Sequence, residues 1–490
     1  MENKFLNALN DATNFTLTAN GGLAHKATRS ALLDMFAEAA AYRNRNDADC
    51  ITLFKNAYLE NPEYALKCLF YTRAVRDGQG ERRYFRTVVQ WLASYDTDAV
   101  RRNMAAIPEL GRWDDLFCLF DTPLEKEMLA FVTEQLKLDV MCETPSLLAK
   151  WLPSINASRK ARRMAQHIQA YLGWTNKQYR KTLSILRARI NVLECLMSQN
   201  RWDEIEFDKI PSKAGFKYRN AFARRDIIKE KYTNFIKDEN TKVNAGTLYP
   251  YECVAEAREC DEAPGNVNRA SINKYWANLN NYFNEAVFNG MAVVDVSGSM
   301  YGYEASAPIN VAISLGLYCA DKAKGPFANH FITFSRNPEL VRVKGVDFVD
   351  KVHNMSNAEW GMNTNLEAVF DLLLNTAVSH NLSQEDLPEN LIIISDMQID
   401  SAIRTYYTGN RTAETMMEAM RQHWASKGYQ IPKLVYWNVN ATKTTFLDND
   451  PNVTYISGFS PVVFEQLMSG KTGYELMMEV LNKECFANIK

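Results

Sequence analysis

The stretch MAVVDVSGSM, residues 291–300, decides the fold of the second half of the chain. Four consecutive apolar residues lead directly into Asp295, a pattern typical of a buried parallel strand. In the turn that follows, Asp295, Ser297 and Ser299 alternate, and Gly298 relieves the backbone between the two serines. Three oxygen-bearing side chains can therefore converge at the carboxyl end of a sheet, and such hard ligands suit Mg²⁺ or Ca²⁺.

Short apolar strands alternate with helices in the rest of this region. Strands are predicted at residues 291–296, 331–335, 340–343, 391–395, 434–438 and 453–456, with 340–343 as a hairpin strand. Helices are predicted at 306–323, 366–377 and 413–426, and two more close the sequence. This alternation predicts a mostly parallel, doubly wound α/β sheet.

Two more segments place polar side chains at the same edge of the predicted sheet. Strand 391–395 runs into Asp396, and Thr364 lies in the loop before helix 366–377. With Asp295, Ser297 and Ser299 they make a set of two carboxylates and three hydroxyls, which resembles the metal-ion-dependent adhesion site of von Willebrand factor A domains. The resemblance implies a bound Mg²⁺, Mn²⁺ or Ca²⁺ with one position open to an acidic group of a partner.

We expect a binding protein and not an enzyme. No histidine lies beside the predicted metal site, and hydroxyl ligands activate water less than a zinc site does. The chain has no His-Glu-x-x-His motif, no phosphate-binding Gly-rich loop with Lys and no Cys-His pairing, so a hydrolase is the weakest alternative. One departure from the A-domain pattern is that Met397 and Gln398 follow Asp396 where many A domains have glycine, so the loop there is expected to differ.

The chain from about residue 29 to about residue 285 is predicted to be helix after helix. One helix begins at Asn61 with Pro62 in its first turn, and the next runs from Glu81. A last helical stretch is predicted at 272–287. Stacked helical pairs of a solenoid explain this pattern best, although the lack of a fixed sequence period leaves a plain helical bundle as an alternative. The predicted domains are 1–287 and 288–490.

Composition bounds the class of protein. The 490 residues are 47% hydrophobic and 23% charged, which is typical of globular domains. The nine cysteines are scattered, so we expect reduced thiols in a cytoplasmic protein. No secretory signal is recognisable at the first residues, and no apolar run approaches the roughly 20 residues of a membrane helix.

The charge is distributed unevenly. Residues 150–231 contain 19 basic and seven acidic residues, a local charge of +12, against −2 for the whole chain. Such asymmetry indicates a polyanionic partner. The residues predicted to contact nucleic-acid phosphates from helix faces are Arg159, Lys160, Arg162, Arg163, Arg180, Lys181 and Arg187. The aromatic residues proposed to stack on bases are Trp151, Tyr171, Trp174 and Tyr179.

Five strings in the helical half carry a second resemblance. They are YTRAVRDGQGERRYF (71–85), GRWDDL (111–116), AKWLPS (149–154), YRKTLSILR (179–187) and PSKAGFKY (211–218). They look like an uncharacterised bacterial and phage family that is distantly similar to the TROVE module joined to a von Willebrand factor A domain, as in Ro RNA-binding proteins. The resemblance implies a ring or horseshoe of HEAT-like helical repeats that is closed by the A domain and holds small non-coding or single-stranded RNA. From the residues alone, Arg73 and Arg76 are expected to pair with acids in neighbouring repeats.

Two functions of different classes therefore remain. The first is an RNA-binding protein whose basic helical surface holds small or single-stranded RNA, with the A domain as a docking module. The alternative is a protein-interaction scaffold that captures an acidic partner residue through the bound metal, with the basic region 150–231 as only a solvated surface or a partner interface.

Overall fold

The computed structural model describes residues 14–17, 23–28, 30–283, 286–302, 304–335, 337–356, 365–397, 416–441, 446, 450, 453–471 and 473–490. None of the helices it describes is both long enough and apolar enough to cross a membrane.

Helices dominate the described chain up to residue 277. They are α1 (Ala31–Glu38), α2 (Asp47–Glu60), α3 (Pro62–Arg73), α4 (Arg82–Tyr95), α5 (Thr97–Asn103), α6 (Ala106–Leu110), α7 (Glu125–Met141), α8 (Leu148–Trp151), α9 (Arg159–Leu172), α10 (Asn176–Arg189), α11 (Leu193–Ser198), α12 (Ser212–Arg224), α13 (Asp226–Lys237), α14 (Pro250–Arg258) and α15 (Val267–Ala277). Two short strands, β1 (Phe15–Leu17) and β2 (Leu23–His25), precede α1 and pair antiparallel.

A six-stranded sheet follows. Its strands are β3 (Gly290–Asp295), β4 (His330–Phe334), β5 (Leu340–Arg342), β6 (Asn390–Ser395), β7 (Lys433–Asn438) and β8 (Thr454–Ser457). Their order across the sheet is β5-β4-β3-β6-β7-β8, and every pair is parallel except β4 with β5. The helices of this region are α16 (Pro308–Lys322), α17 (Phe348–Ser356), α18 (Leu366–Ser379), α19 (Met416–Ser426), α20 (Val463–Leu467) and α21 (Gly473–Leu481).

Helices cover both faces of this sheet. On one face, α18 and α19 contribute Phe370 and Trp424 to a core that also holds Val293 of β3 and Ile393 of β6. On the other face α16 lies so close to β3 that a Cβ on Gly316 would overlap the side chain of Val294. Since successive residues of a strand point to opposite faces, one run of apolar residues serves both cores. The doubly wound arrangement predicted from the sequence is confirmed.

The chain divides into two compact units. The sheet unit comprises Met1–Cys68 and Leu248–Lys483, and the helical unit comprises Leu69–Thr247 and Glu484–Lys490. The boundary at residues 287/288 stays a prediction, because these units cut the chain at other points. The repeat or ring form of the helices likewise stays a prediction.

The helix predicted at 272–287 is wrong in its bounds. Helix α15 begins earlier, where the Asn266 side chain accepts a hydrogen bond from the backbone N–H of Asn268, and it ends at Ala277. The run Asn278–Asn281 then favours turns over helix. Beyond it, the backbone N–H of Phe288 donates to the carbonyl of Lys324 at 2.7 Å, so the chain is already extended there. The helix predicted at 413–426 is found as α19, with residues 413–415 outside the described residues.

The first residues of the chain belong to the sheet unit, which the sequence did not indicate. His25 exchanges two backbone hydrogen bonds with Phe446, at 2.6 and 2.9 Å. The guanidinium of Arg43 lies over the Phe459 ring, 4.1 Å from its centroid. At the end of α1, Glu38 is 3% exposed and accepts a hydrogen bond of 3.4 Å from the amide of Asn438 in β7.

Burial raises the pKa of Glu38 to about 8, and the nearby Asp34 raises it further while the Asn438 amide lowers it. A carboxyl with a raised pKa in the folded state stabilises that state fully below its unfolded pKa of 4.5, and the stabilisation is lost as the pH rises through about 8. We therefore expect the denaturant concentration at the unfolding midpoint of the sheet unit to decrease as the pH is raised from 4.5 to about 8. In the Glu38→Gln variant, the part of this decrease that is caused by Glu38 should be absent.

The matched control is Glu385→Gln, which changes an exposed carboxyl of the same unit. Its midpoint should follow the pH in the same way as that of the wild type. Equal pH slopes for wild type and Glu38→Gln, measured at constant ionic strength, would contradict the assignment of a protonated Glu38.

Candidate functional site

The carboxyl ends of β3 and β6 lie side by side at the point where the order of the sheet reverses. From β3 the chain proceeds to β4 on one side, whereas β6 and β7 continue on the other. Loops leaving two adjacent parallel strands in opposite directions open a crevice where ligands of α/β sheets bind. Asp295 ends β3, and Asp396 directly follows β6, so the structure brings these two predicted site residues to one place.

Hydrogen bonds fix the turn after β3. Asp295 accepts from the backbone N–H of Ser297 at 2.8 Å through Oδ1, and from the hydroxyl of Ser395 at 2.5 Å through Oδ2. The hydroxyl oxygens of Ser297 and Ser299 are 3.2 Å apart. Ser297 is buried and Ser299 is exposed, so the pair reaches from the interior to the surface. Thr364, the fifth residue of the predicted set, lies outside the described residues.

Two buried carboxyl groups, Asp295 and Asp396, lie close enough at this edge to repel each other when both are ionised. Asp295 is fully buried and Asp396 is 1% exposed. Burial raises the pKa of Asp295 to about 6, the charge of Asp396 adds to the rise, and the donors Ser395 and Ser297 lower it less. A divalent cation would relieve this repulsion, and the oxygen donors present fit Mg²⁺, Mn²⁺ or Ca²⁺. The described residues hold no group of three or more His, Cys, Asp or Glu side chains suited to a metal, so the hydroxyls would have to complete the site.

Ser395 was missed by the sequence analysis. Its hydroxyl donates to Asp295 and accepts from the backbone N–H of Met397 at 3.1 Å, which ties the two strand ends together. Met397 has φ of 60°, a left-handed conformation that favours glycine. The departure from the A-domain pattern at this position therefore places a buried methionine in strained backbone.

Helices α9 and α10 present most of the predicted RNA-binding residues to solvent. The exposed ones are Arg159, Lys160, Arg162, Arg163, Arg180 and Lys181. Among the described residues only Arg163 of this set has an ion-pair partner, Asp121 at 2.5 Å. No acidic residue occurs between positions 144 and 193, so the helices supply no carboxylate of their own. Lys177, missed by the sequence analysis, joins Arg180 and Lys181 at the helical spacings of three and four.

Two predicted contacts have a structural role instead. The guanidinium of Arg187 donates to the carbonyls of Ala149 and Leu152, at 2.8 and 2.9 Å, and so caps the end of α8. Its contact with RNA stays a prediction that this geometry does not favour. Tyr179 is fully buried with its hydroxyl donating to the carbonyl of Pro153 at 2.9 Å, so its predicted stacking on bases is wrong. Tyr171 remains 49% exposed.

A buried ion cluster organises the helical unit. Asp115, fully buried, accepts from Arg73 Nη2 and from Arg86 Nε, each at 2.7 Å. Asp114 pairs through one oxygen with Arg86 and Arg112, again at 2.7 Å each. Burial alone would raise the pKa of Asp114, but these two guanidinium groups outweigh burial and lower it. Arg73 thus pairs with an acid as predicted, whereas Arg76 is exposed and forms no ion pair among the described residues.

This cluster connects four of the five strings that carried the family resemblance. Arg73 and Arg86 come from α3 and α4, and Asp114 and Asp115 come from GRWDDL. The Arg112 guanidinium lies 4.0 Å from the centroid of the Trp151 ring in AKWLPS. Arg187, at the end of YRKTLSILR, then binds the backbone of that same string. The strings thus mark one continuous set of interactions.

Fold and geometry define a protein with a doubly wound α/β sheet in one unit and helices in the other. A family model described as "Domain of unknown function (DUF2828)" matches residues 18–128 and 146–287, so the chain belongs to that family. A second model, "Domain of unknown function (DUF7788)", matches residues 289–485. Membership of an uncharacterised family is confirmed, and its bacterial and phage distribution stays a prediction.

One relative and one solved structure extend these matches. "Uncharacterized protein L728" of Acanthamoeba polyphaga mimivirus is 29% identical over 507 residues, covering 94% of this chain and 85% of the viral protein. The crystal structure of the Deinococcus radiodurans RO (RSR) protein is similar at 12% identity and a TM-score of 0.43, over 96% of each chain. Such a score is too low to carry a functional conclusion.

We expect Asp115→Asn to destabilise the helical unit strongly, because it leaves the buried Arg73 without its counter-charge. Removing one partner of a buried ion pair costs about 3–5 kcal/mol. The measurement is the free energy of unfolding from urea titration. Asp98→Asn, which breaks an exposed pair with Arg101 in the same unit, should cost less than about 1 kcal/mol. Similar losses for the two variants would show that the cluster is not a core interaction.

Proposed function

We propose that this protein binds RNA, acting as a binding protein and not as an enzyme, through the exposed cationic faces of α9 and α10. The observation that carries the proposal is that these faces display several cations and no acidic residue over 50 consecutive positions, 144–193. An isolated protein gains nothing from such an arrangement, because like charges repel along a helix face. A polyanion removes that repulsion and releases its own counterions.

The arrangement suits a phosphate backbone. On α9, Arg159, Arg162 and Arg163 share one face, and on α10, Lys177 and Lys181 share another. Long exposed side chains can follow a flexible strand, while the exposed Tyr171 offers a ring for stacking on a base. Single-stranded RNA is the polyanion we propose, in agreement with the resemblance of the five strings to TROVE-type proteins.

Charge reversal on these faces should weaken RNA binding and reduce its salt dependence. The test variant reverses four exposed cations to Glu: Arg159, Lys160, Arg180 and Lys181. Each phosphate contact contributes about 0.7 to the slope of log K against log salt for a single strand, so losing four contacts should lower the slope by roughly 3. Filter binding of a single-stranded RNA from 50 to 200 mM salt measures this change.

The control carries the same change in charge at other exposed positions of the chain. It reverses Arg76, Arg102, Lys126 and Lys137 to Glu. This variant should keep most of the salt slope. If both variants lose affinity equally, binding follows net charge only, and if neither loses affinity, α9 and α10 are not the RNA surface.

A second function is favoured by the edge of the sheet. Asp295, Asp396, Ser297 and Ser299 would hold a divalent cation, as in the adhesion site of von Willebrand factor A domains. When bound, the ion supplies a positive charge that can attract a carboxylate of a protein partner. The chain's own contribution is to bury Asp295, to orient it with the Ser395 hydroxyl and to keep Ser299 at the surface. Docking through this site would accompany RNA binding.

Removing one hydroxyl should weaken cation binding without disturbing RNA. Ser297→Ala deletes a hydroxyl oxygen that lies 3.2 Å from that of Ser299. We expect the affinity for Mn²⁺, measured by calorimetry, to fall roughly tenfold or more, as is typical when a group that supports a metal site is removed. Ser306→Ala, a hydroxyl beyond the same turn, is the control and should leave the affinity unchanged. RNA affinity should survive both Ser297→Ala and chelation with EDTA. Unaltered Mn²⁺ binding by Ser297→Ala would remove the site from consideration.

A further inference from the structure

The ion cluster around Asp114 has more positive than negative charge. Arg73, Arg86 and Arg112 are set against two carboxylates, Asp114 and Asp115. A fourth guanidinium, Arg82, stands one helical turn before Arg86 on α4, at the i, i+4 spacing that puts two side chains on one face. The four arginines therefore exceed the two carboxylates by two charges.

Arg82 has no counter-charge of its own. It is exposed, and within the part of the chain that the structure describes it forms no ion pair or side-chain hydrogen bond. Desolvation of the covered part of its side chain lowers the pKa of Arg82, and the positive charges of Arg112 and Arg86 lower it further, more than Asp114 and Asp115 raise it. The positive charge of Arg82 is repelled by its cationic neighbours, and an anion bound between these arginines would replace that repulsion with attraction.

The neighbouring guanidinium groups are accessible and already ordered. The side chains of Arg86 and Arg112 are 29% and 27% exposed. Arg86 is fixed by its ion pairs, and Arg112 by Asp114 and by the face of the Trp151 ring. Hydrogen bonds among the described residues use Nε and Nη2 of Arg112 and leave its Nη1 group to an incoming ligand. Side chains that are ordered before binding lose little entropy on binding.

We propose that Arg82, Arg86 and Arg112 form a binding site for a phosphate monoester group. A phosphate monoester carries close to two negative charges at neutral pH, which matches the excess charge of the cluster. Its oxygens accept the paired N–H groups of guanidinium in a geometry that ammonium groups do not reproduce. The site lies on α4 and GRWDDL, apart from the α9 and α10 faces, and does not depend on the proposed RNA surface being correct.

The phosphate has two sources that share this chemistry, a free phosphate or nucleoside monophosphate and the terminal phosphate of a nucleic acid strand. Calorimetry of the full-length protein with inorganic phosphate and with AMP tests the first source. Competition between 5′-phosphorylated and 5′-hydroxyl forms of one short RNA tests the second. A preference for the phosphorylated RNA assigns the site to strand ends, and binding of AMP without that preference assigns it to the free ligand.

The decisive variant is Arg82→Gln, which removes an exposed side chain without an ion-pair partner among the described residues and should fold normally. We expect it to weaken binding of whichever phosphate ligand the wild type takes by roughly tenfold. Arg76→Gln removes an exposed arginine of the preceding turn and should bind like the wild type. Wild type that binds none of the probes, or an Arg82→Gln variant of equal affinity, would overturn the proposal. The result is separate from the salt slope that tests RNA binding to α9 and α10.

Discussion

The helical unit depends on one buried carboxylate that binds arginines from two different helices. Asp115 is fully enclosed, and Arg73 from α3 and Arg86 from α4 reach it at 2.7 Å. Gly111 makes the approach possible, because a Cβ there would lie 2.6 Å from the Asp115 carboxylate. A buried charge is tolerated only when it is paired and hydrogen-bonded, so these helices have little freedom to shift relative to GRWDDL.

Arginine and lysine serve two distinct purposes in this unit. Two arginines have structural partners: Arg73 forms an ion pair with a buried carboxylate, and Arg187 donates to the last carbonyls of a short helix. Arg159 and Lys181 project into solvent from helices that carry no acid. Lys181 and Arg187 even lie on the same helix, α10. Only the position of their partners separates a structural cation from one that is available to a polyanion.

The sequence predicted the sheet well because its signal is local. An apolar run ending in Asp295 and another ending at Ser395 are enough to define two buried parallel strands, and the rule that ligands gather at strand ends then brought Asp295 and Asp396 together. The failures concern partners far apart in the chain. Glu38 meets Asn438 across 400 residues, and no local periodicity could assign α1 to the sheet unit. Tyr179 and Arg187 looked like surface residues because helical spacing alone does not show which face is covered.

The division of the chain has a consequence for the order of folding. Each unit is assembled from two segments that are separated in the sequence, and the second segment of the helical unit is only Glu484–Lys490. Those last residues bring the Phe486 ring against Tyr71 and the backbone N–H of Lys490 to Asn103 at 3.0 Å. During synthesis, residues 1–68 can pack against the sheet only after its strands have been made, and the helical unit can be completed only after residues 484–490 have been made. Closing loops of this length slows folding more than it costs stability, so the helical unit is completed only after residues 484–490 have been made.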